Sequence, residues 1–210
     1  MNYYKKAYKE KGKRYMKKII ITLIILFIIG FTFMASIAQA NLLTNPDFEN
    51  DDPMGWDNWG DSNYSTDEYL SGSQSAHAWT WDNTDGKFEQ WVDVTPGLQY
   101  KASGYIKSTQ MSDGAAWVQF QWDGNSVPIE SAKLTSAGNW TYFETALVEA
   151  PVGVATAKVA YILEAPASNL SNDVFFDDAS FEEVVPEPAS LLLLASGLFG
   201  LLGISRKRIK

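Results

Sequence analysis

Cysteine is absent from this 210-residue chain. Disulfides and thiolate metal sites are thereby excluded, so whatever folds here is held by its core or by bound ions. Histidine occurs once, at His77. That excludes a zinc hydrolase with several histidine ligands, and a Ser-His-Asp relay would have to pass through His77, where nothing resembles a nucleophile elbow. Positive charge is scarce in the middle of the chain. Eight of the 17 Lys/Arg lie in residues 1–40 and four follow Pro186, leaving five against 23 of the 25 Asp/Glu, a net charge near −18. Such a stretch repels phosphate, which argues against nucleic acid and anionic lipid as its partners and suits neutral glycans or metal cations. Amphipathic helices and internal repeats are also missing. Aromatics are not: all eight tryptophans (Trp56, Trp59, Trp79, Trp81, Trp91, Trp117, Trp122, Trp140) fall in the acidic stretch. Disordered chains do not carry so much aromatic mass. Its length, about 145 residues, is that of one domain, with no room for a second.

The two ends have a different composition. Residues 1–18 hold eight Lys/Arg against Glu10 alone, Ile19 to Met34 is uncharged, and Ala38-Gln39-Ala40 supplies the small residues a signal peptidase requires. Residues 1–40 therefore read as a signal peptide with a mature start at Asn41. Met16-Lys17-Lys18 offers a second initiator, and an uncleaved anchor is the alternative to cleavage. At the other end stand Pro186-Glu187-Pro188, an uncharged run, and Arg206-Lys207-Arg208. The prolines remove two backbone donors and stop the element before them. From Ala189 to Ile204 the run would span about 24 Å as a helix, slightly short of a hydrocarbon core near 30 Å. Its basic end favours the cytoplasmic side, which would leave everything before Pro186 outside. Motif, helix and basic cluster in this order resemble the PEP-CTERM sorting signal. The resemblance covers residues 185–210 and gives Pro186, Glu187 and Pro188 as the motif. It implies an exosortase as partner, transient anchoring in the inner membrane, and a destination at the cell surface, outer envelope or exopolysaccharide matrix.

Between the ends the apolar period is two. Ala115 to Trp122 sets Trp117, Gln119 and Gln121 against Val118, Phe120 and Trp122; Tyr100 to Lys107 alternates in the same way. Ser75 to Trp81, Phe88 to Val94, Trp140 to Val148, Ala157 to Leu163 and Val174 to Phe181 are further strands. Turn formers such as Thr95-Pro96-Gly97, Asp113-Gly114 and Asp123-Gly124-Asn125 separate them. The fold class read from this is all-β, an antiparallel two-sheet sandwich of jelly-roll type over residues 41–184.

Ordered landmarks carry a second resemblance. Asn41-Leu42-Leu43-Thr44-Asn45-Pro46-Asp47-Phe48-Glu49, Gly55-Trp56, Ser71-Gly72-Ser73-Gln74-Ser75, Thr95-Pro96-Gly97-Leu98-Gln99-Tyr100, Gly138-Asn139-Trp140 and Phe176-Asp177-Asp178-Ala179-Ser180-Phe181 look like a galactose-binding-domain-like carbohydrate-binding module. Asp47 stands where that opening commonly has glycine, a point of strain in the turn. The resemblance implies a structural calcium ion held by Glu49, the Gly72–Ser73 region and Asp178, and calcium accepts two carboxylates completed by other hard oxygens. Strict alternation gives Asp178 the buried face of Phe176 and turns Asp177 outward with Phe175. A solvated strand end is the alternative.

Sugar recognition needs aromatic faces for pyranose rings and amides or carboxylates for hydroxyls. Trp117, Gln119 and Gln121 offer that mixture on one strand face. Tyr105 on a neighbouring strand, the stripe His77, Trp79 and Trp81, and Trp59 at one end complete the expected groove. The alternative is that several tryptophans, above all Trp56 and Trp140, are core. The sequence thus points to an exported, non-catalytic glycan-binding protein, or else to a structural surface or matrix protein without sugar. A carboxylate-pair hydrolase is weaker, because no catalytic motif accompanies the acids.

Overall fold

The computed structural model describes residues 40–50, 55–82, 85–166 and 168–184, all within one compact unit, Gln39–Lys210. The expected sorting tail and all but the last residue of the expected signal peptide lie outside the described residues. Among those described, all regular structure is strand, and no helix is long and apolar enough to cross a membrane. The described residues form eleven strands: β1 Asp57–Trp59, β2 Ser62–Ser65, β3 Ser75–Asp82, β4 Gly86–Asp93, β5 Gln99–Met111, β6 Ala115–Trp122, β7 Ile129–Glu130, β8 Gly138–Glu144, β9 Val148–Glu149, β10 Thr156–Glu164 and β11 Ser168–Val184. They pair antiparallel into a sheet ordered β1-β4-β10-β6-β7 and a second ordered β2-β3-β11-β5-β8, with β9 also on β5.

Alternation produces the core. Tyr100, Ala102 and Ile106 of β5, Val118, Phe120 and Trp122 of β6, Val159, Tyr161 and Leu163 of β10, and Phe176 and Phe181 of β11 all turn inward and are buried. Each large apolar side chain so placed contributes about 1.5–3 kcal/mol. Phe48 and Trp56 plug one end, 5.0 Å apart between rings, and the Trp56 Nε1 donates to the Asn45 carbonyl at 2.9 Å. Trp56 is thus core, whereas Trp140 is only half-buried. The start of the domain is tied to its last strand: Asn41 donates through Nδ2 to the Ala179 carbonyl at 2.8 Å and accepts from the Phe181 amide at 3.0 Å.

The structure departs from strict alternation at two places that matter. In the opening turn the left-handed residues are Asn45 and Phe48, at φ 51° and 55°, so the strain expected at Asp47 falls on its neighbours. In β11 one extra residue enters between the pairs Asp177 with Tyr105 and Ser180 with Ser103. Asp178 sits in that bulge at φ 47°. The bulge breaks the period, so Asp178 does not share the inward face of Phe176 and is only half-buried, while Asp177 is fully buried. Asp177, paired with Tyr105 before the bulge, keeps the outward face expected of it and is buried there by the loop whose Leu70 and Ser71 amides it binds, so only the expectation for Asp178 fails.

Candidate functional site

Register builds an array on the outer face of the five-stranded sheet. Trp59, Lys87, Ile162 and Trp117 stand across β1, β4, β10 and β6; Asp57, Glu89, Ala160, Gln119 and Glu130 form the next row, reaching β7; Trp91, Lys158 and Gln121 form the third. Trp59 and Trp91 are 57% and 53% exposed. Four residues of rise and one strand step separate their positions by roughly 14 Å. Between them the Glu89 carboxylate accepts from Lys87 at 3.2 Å and Lys158 at 3.4 Å. Each lysine also lies 5.8 Å from an indole, Lys87 at Trp59 and Lys158 at Trp91. A depression of about 320 Å³ beside Trp91 is bounded by Gln121, Lys158 and the turn Asp123–Ser126.

Trp91 was not singled out by sequence reasoning, although its alternation with Phe88, Gln90 and Val92 turns it outward. Trp117 is turned outward as expected but is only 5% exposed. Lys133 covers its ring at 3.7 Å, and the adjoining Leu134 bridges to Ala116. Its Nε1 donates to the Gln119 Oε1 at 3.0 Å. The Gln121 amide is held by the Asn125 carbonyl.

The remaining expected sugar contacts lie on the opposite side of the sandwich. His77 and Trp79 of β3 and Tyr105 of β5 face outward from the six-stranded sheet, where Tyr105 meets Tyr142 edge-on at 5.3 Å. The side chain of Trp81 lies outside the described residues. The structure therefore separates the expected groove into two: Trp59, Trp117, Gln119 and Gln121 on one face, His77, Trp79 and Tyr105 on the other.

Three acids grip the loop Leu70–Gln74. Glu49 accepts from the Ser73 amide at 2.8 Å, the Ser73 hydroxyl at 2.7 Å and the Gln74 amide at 3.0 Å. A Cβ on Gly72 would lie 2.2 Å from the Glu49 Oε1, so the approach of carboxylate to loop requires glycine there. Asp177 accepts from the Leu70 and Ser71 amides at 2.7 and 3.0 Å, and Asp178 from the Ser71 hydroxyl at 2.7 Å. The Ser73 amide, followed by the Gln74 amide and the Ser73 hydroxyl, holds the Glu49 carboxyl below its usual range against burial. Burial pushes Asp177 above its usual range, the loop amides oppose this, and the charge of Asp178 adds to it. Glu49, Gly72, Ser73 and Asp178 are thus brought around one loop. Among the described residues no three acid or histidine side chains converge as a ligand set, so an ion there would complete its shell from hydroxyl and carbonyl oxygens.

Residues 184–208 match the profile of the PEP-CTERM protein-sorting motif, the mark of an exported protein processed at the membrane. Among solved structures, the chain is similar to TmCBM61 in complex with β-1,4-galactotriose, with a TM-score of 0.55 at 16% identity over 69% of this chain and 99% of that one. Family 16 Carbohydrate Binding Module-2 gives 0.50 at 17% identity over 67% and 99%. The arabinose-bound α-L-arabinofuranosidase MgGH51 gives 0.52 at 16% identity over 69% of this chain but only 26% of the enzyme. At such identities the likeness establishes the fold, a two-sheet sandwich of carbohydrate-binding-module type. No curated protein matches the chain.

Proposed function

We propose that residues 41–184 form a non-catalytic glycan-binding module on the outer face of the five-stranded sheet. The protein is exported, sorted through Pro186-Glu187-Pro188 by an exosortase, and displayed at the cell surface or in exopolysaccharide. The observation that carries the reading is the pair of half-exposed indoles, Trp59 and Trp91, bracketing the Lys87-Glu89-Lys158 cluster. Indole faces stack on the apolar faces of sugar rings, and the fixed ions and the Gln121 amide meet hydroxyls. Most of these partners are already immobilised, which lowers the entropic cost of binding.

Calcium at Glu49, Gly72, Ser73 and Asp178 is the structural half of the proposal. It is supported by the all-oxygen donor set, by two carboxylates meeting one loop, and by the left-handed Asp178 that turns its carboxylate to Ser71. The ion would stiffen the loop against β11 and neutralise the acids; it would touch no ligand on the far sheet.

The test is binding of the purified full-length chain to soluble xylan and β-1,4-galactan, with calcium and with chelator. Wild-type retention on either polymer, weakened in Trp91→Ala, supports the module. A folded protein that binds no member of a wider polysaccharide panel would instead be a structural matrix protein using the same sandwich.

A further inference from the structure

Across the sandwich from Trp59 and Trp91, the outer surface of the six-stranded sheet holds a separate cleft of about 340 Å³. Two rows of register build it. Trp79, Asp173 and Gln110 stand opposite one another on β3, β11 and β5, and the adjacent row runs Asn63, His77 and Phe175 on β2, β3 and β11. The His77 ring is fixed from three directions. It stacks on Phe175 at 4.3 Å and 6°, tilts against Trp79 at 4.8 Å, and meets the Asp173 Oδ1 through Nε2 at 2.5 Å. The other Asp173 oxygen accepts from the Thr109 hydroxyl at 2.9 Å. None of this lies in the core between the sheets. A run of aromatic rings held rigid on an outer face, flanked by two exposed amides and a carboxylate, has the composition of a site rather than of packing.

Its chemistry is selective. A carboxylate within a domain of strong negative charge disfavours anions, while Asn63, Gln110 and Asp173 supply paired donors and acceptors for vicinal hydroxyls beside the Trp79 ring. We propose that this cleft is a second glycan site, for a neutral sugar chain, and that the domain is therefore bivalent. The ligand class follows the glycan-binding reading of the other face, but the residues are independent of it. Sites on opposite faces of one sandwich cannot share a chain segment, so the protein bridges two polysaccharide chains and gains avidity from both.

The experiment is calorimetric titration of the full-length chain with xylohexaose and with β-1,4-galactotriose, alongside the viscosity of xylan and β-1,4-galactan solutions. Wild type should bind two oligosaccharides per chain and thicken the polymer. Trp79→Ala and, as a shape-preserving control, Asp173→Asn should each weaken one site at least tenfold, keep the other, and abolish thickening at unchanged melting temperature. One site per chain, untouched by either substitution and lost in Trp91→Ala, would overturn the second site and leave the first reading standing. Loss in Trp79→Ala and Asp173→Asn with Trp91→Ala binding as wild type would keep the cleft and remove the first face. No heat or thickening with either probe would overturn both.

Discussion

The Lys133 ammonium lies 3.7 Å from the centre of the Trp117 ring, and the indole beneath it keeps only 5% of its surface exposed. A tryptophan that its strand turns outward is thus sealed by the segment after β7. Its neighbours Trp59 and Trp91 hold their lysines at 5.8 Å and stay half open. The same pair of residue types therefore gives a structural contact in one place and an accessible aromatic in two.

Trp117→Ala should act as a core deletion. Emptying a buried indole costs about 3–5 kcal/mol, so the midpoint of denaturant unfolding should fall while affinity per folded molecule is kept. Lys133→Ala removes only the cap, worth about 1 kcal/mol, and should red-shift the tryptophan emission. Affinity loss in Trp117→Ala at unchanged stability would put the ring in the ligand site instead.

Trp91→Ala and Trp59→Ala should behave in the opposite way. Exposed substitutions usually stay within about 0.5 kcal/mol in stability, whereas an aromatic at a binding centre costs more than about 1–2 kcal/mol of affinity, roughly tenfold. Affinity chromatography on immobilised polysaccharide, paired with thermal melts, separates the two quantities. Retention as wild type by both variants would remove this face from the site.

Seven strands, the sandwich and the core faces were legible because alternation is local: a residue and its second neighbour report the same face. The short strands β1, β2, β7 and β9 were not, since two to four residues carry no period. The site was legible in its residue types and not in its assembly. His77 and Gln119 both read as outward, but which sheet each strand joins depends on long-range pairing. The half-exposed Asp178 has the same origin, because a bulge is a property of two strands and leaves no mark in the alternation of one, and the burial of the outward Asp177 comes from a loop over a hundred residues away in sequence.

The proposed calcium ion would make the acid loop a thermodynamic reporter. An ion bound only by the folded state stabilises by about 2.7 kcal/mol at a hundredfold excess over its dissociation constant. Calcium should therefore raise the melting temperature of wild type and leave sugar affinity alone. Asp178→Asn should lose most of that rise. A calcium-dependent affinity with an unchanged melt would move the ion to the ligand.

In chelator the loop's acids have opposite signs. Glu49 is held below the usual carboxylate range, chiefly by the Ser73 amide, so the stability it contributes is present above that range and is lost as pH falls through the folded value. Asp177 is raised by burial, so its contribution is greatest below its unfolded range and declines as pH rises toward the folded value. Glu49→Gln should flatten the acid limb of a stability–pH curve measured by urea unfolding. An unaltered acid limb would mean that Glu49 is not held by the loop in solution.

Gly104 and Tyr161 supply the last prediction, at the contact between the sheets. A Cβ on Gly104 would lie 2.7 Å from the Tyr161 ring and 2.9 Å from its hydroxyl. That hydroxyl donates to the Ser103 carbonyl and accepts from the Ser180 amide at 3.2 Å, joining β10 to β5 and to β11 just past the bulge. Burial raises the phenol's proton affinity, so it remains neutral and able to donate. Gly104→Ala should cost about 1–3 kcal/mol as overpacking, and Tyr161→Phe about 1–3 kcal/mol by leaving buried partners unpaired. Because Tyr161→Phe withdraws the hydroxyl that crowds the new methyl, the double substitution should cost less than the sum of the singles. Strict additivity in the double-mutant cycle would mean that the two residues do not touch.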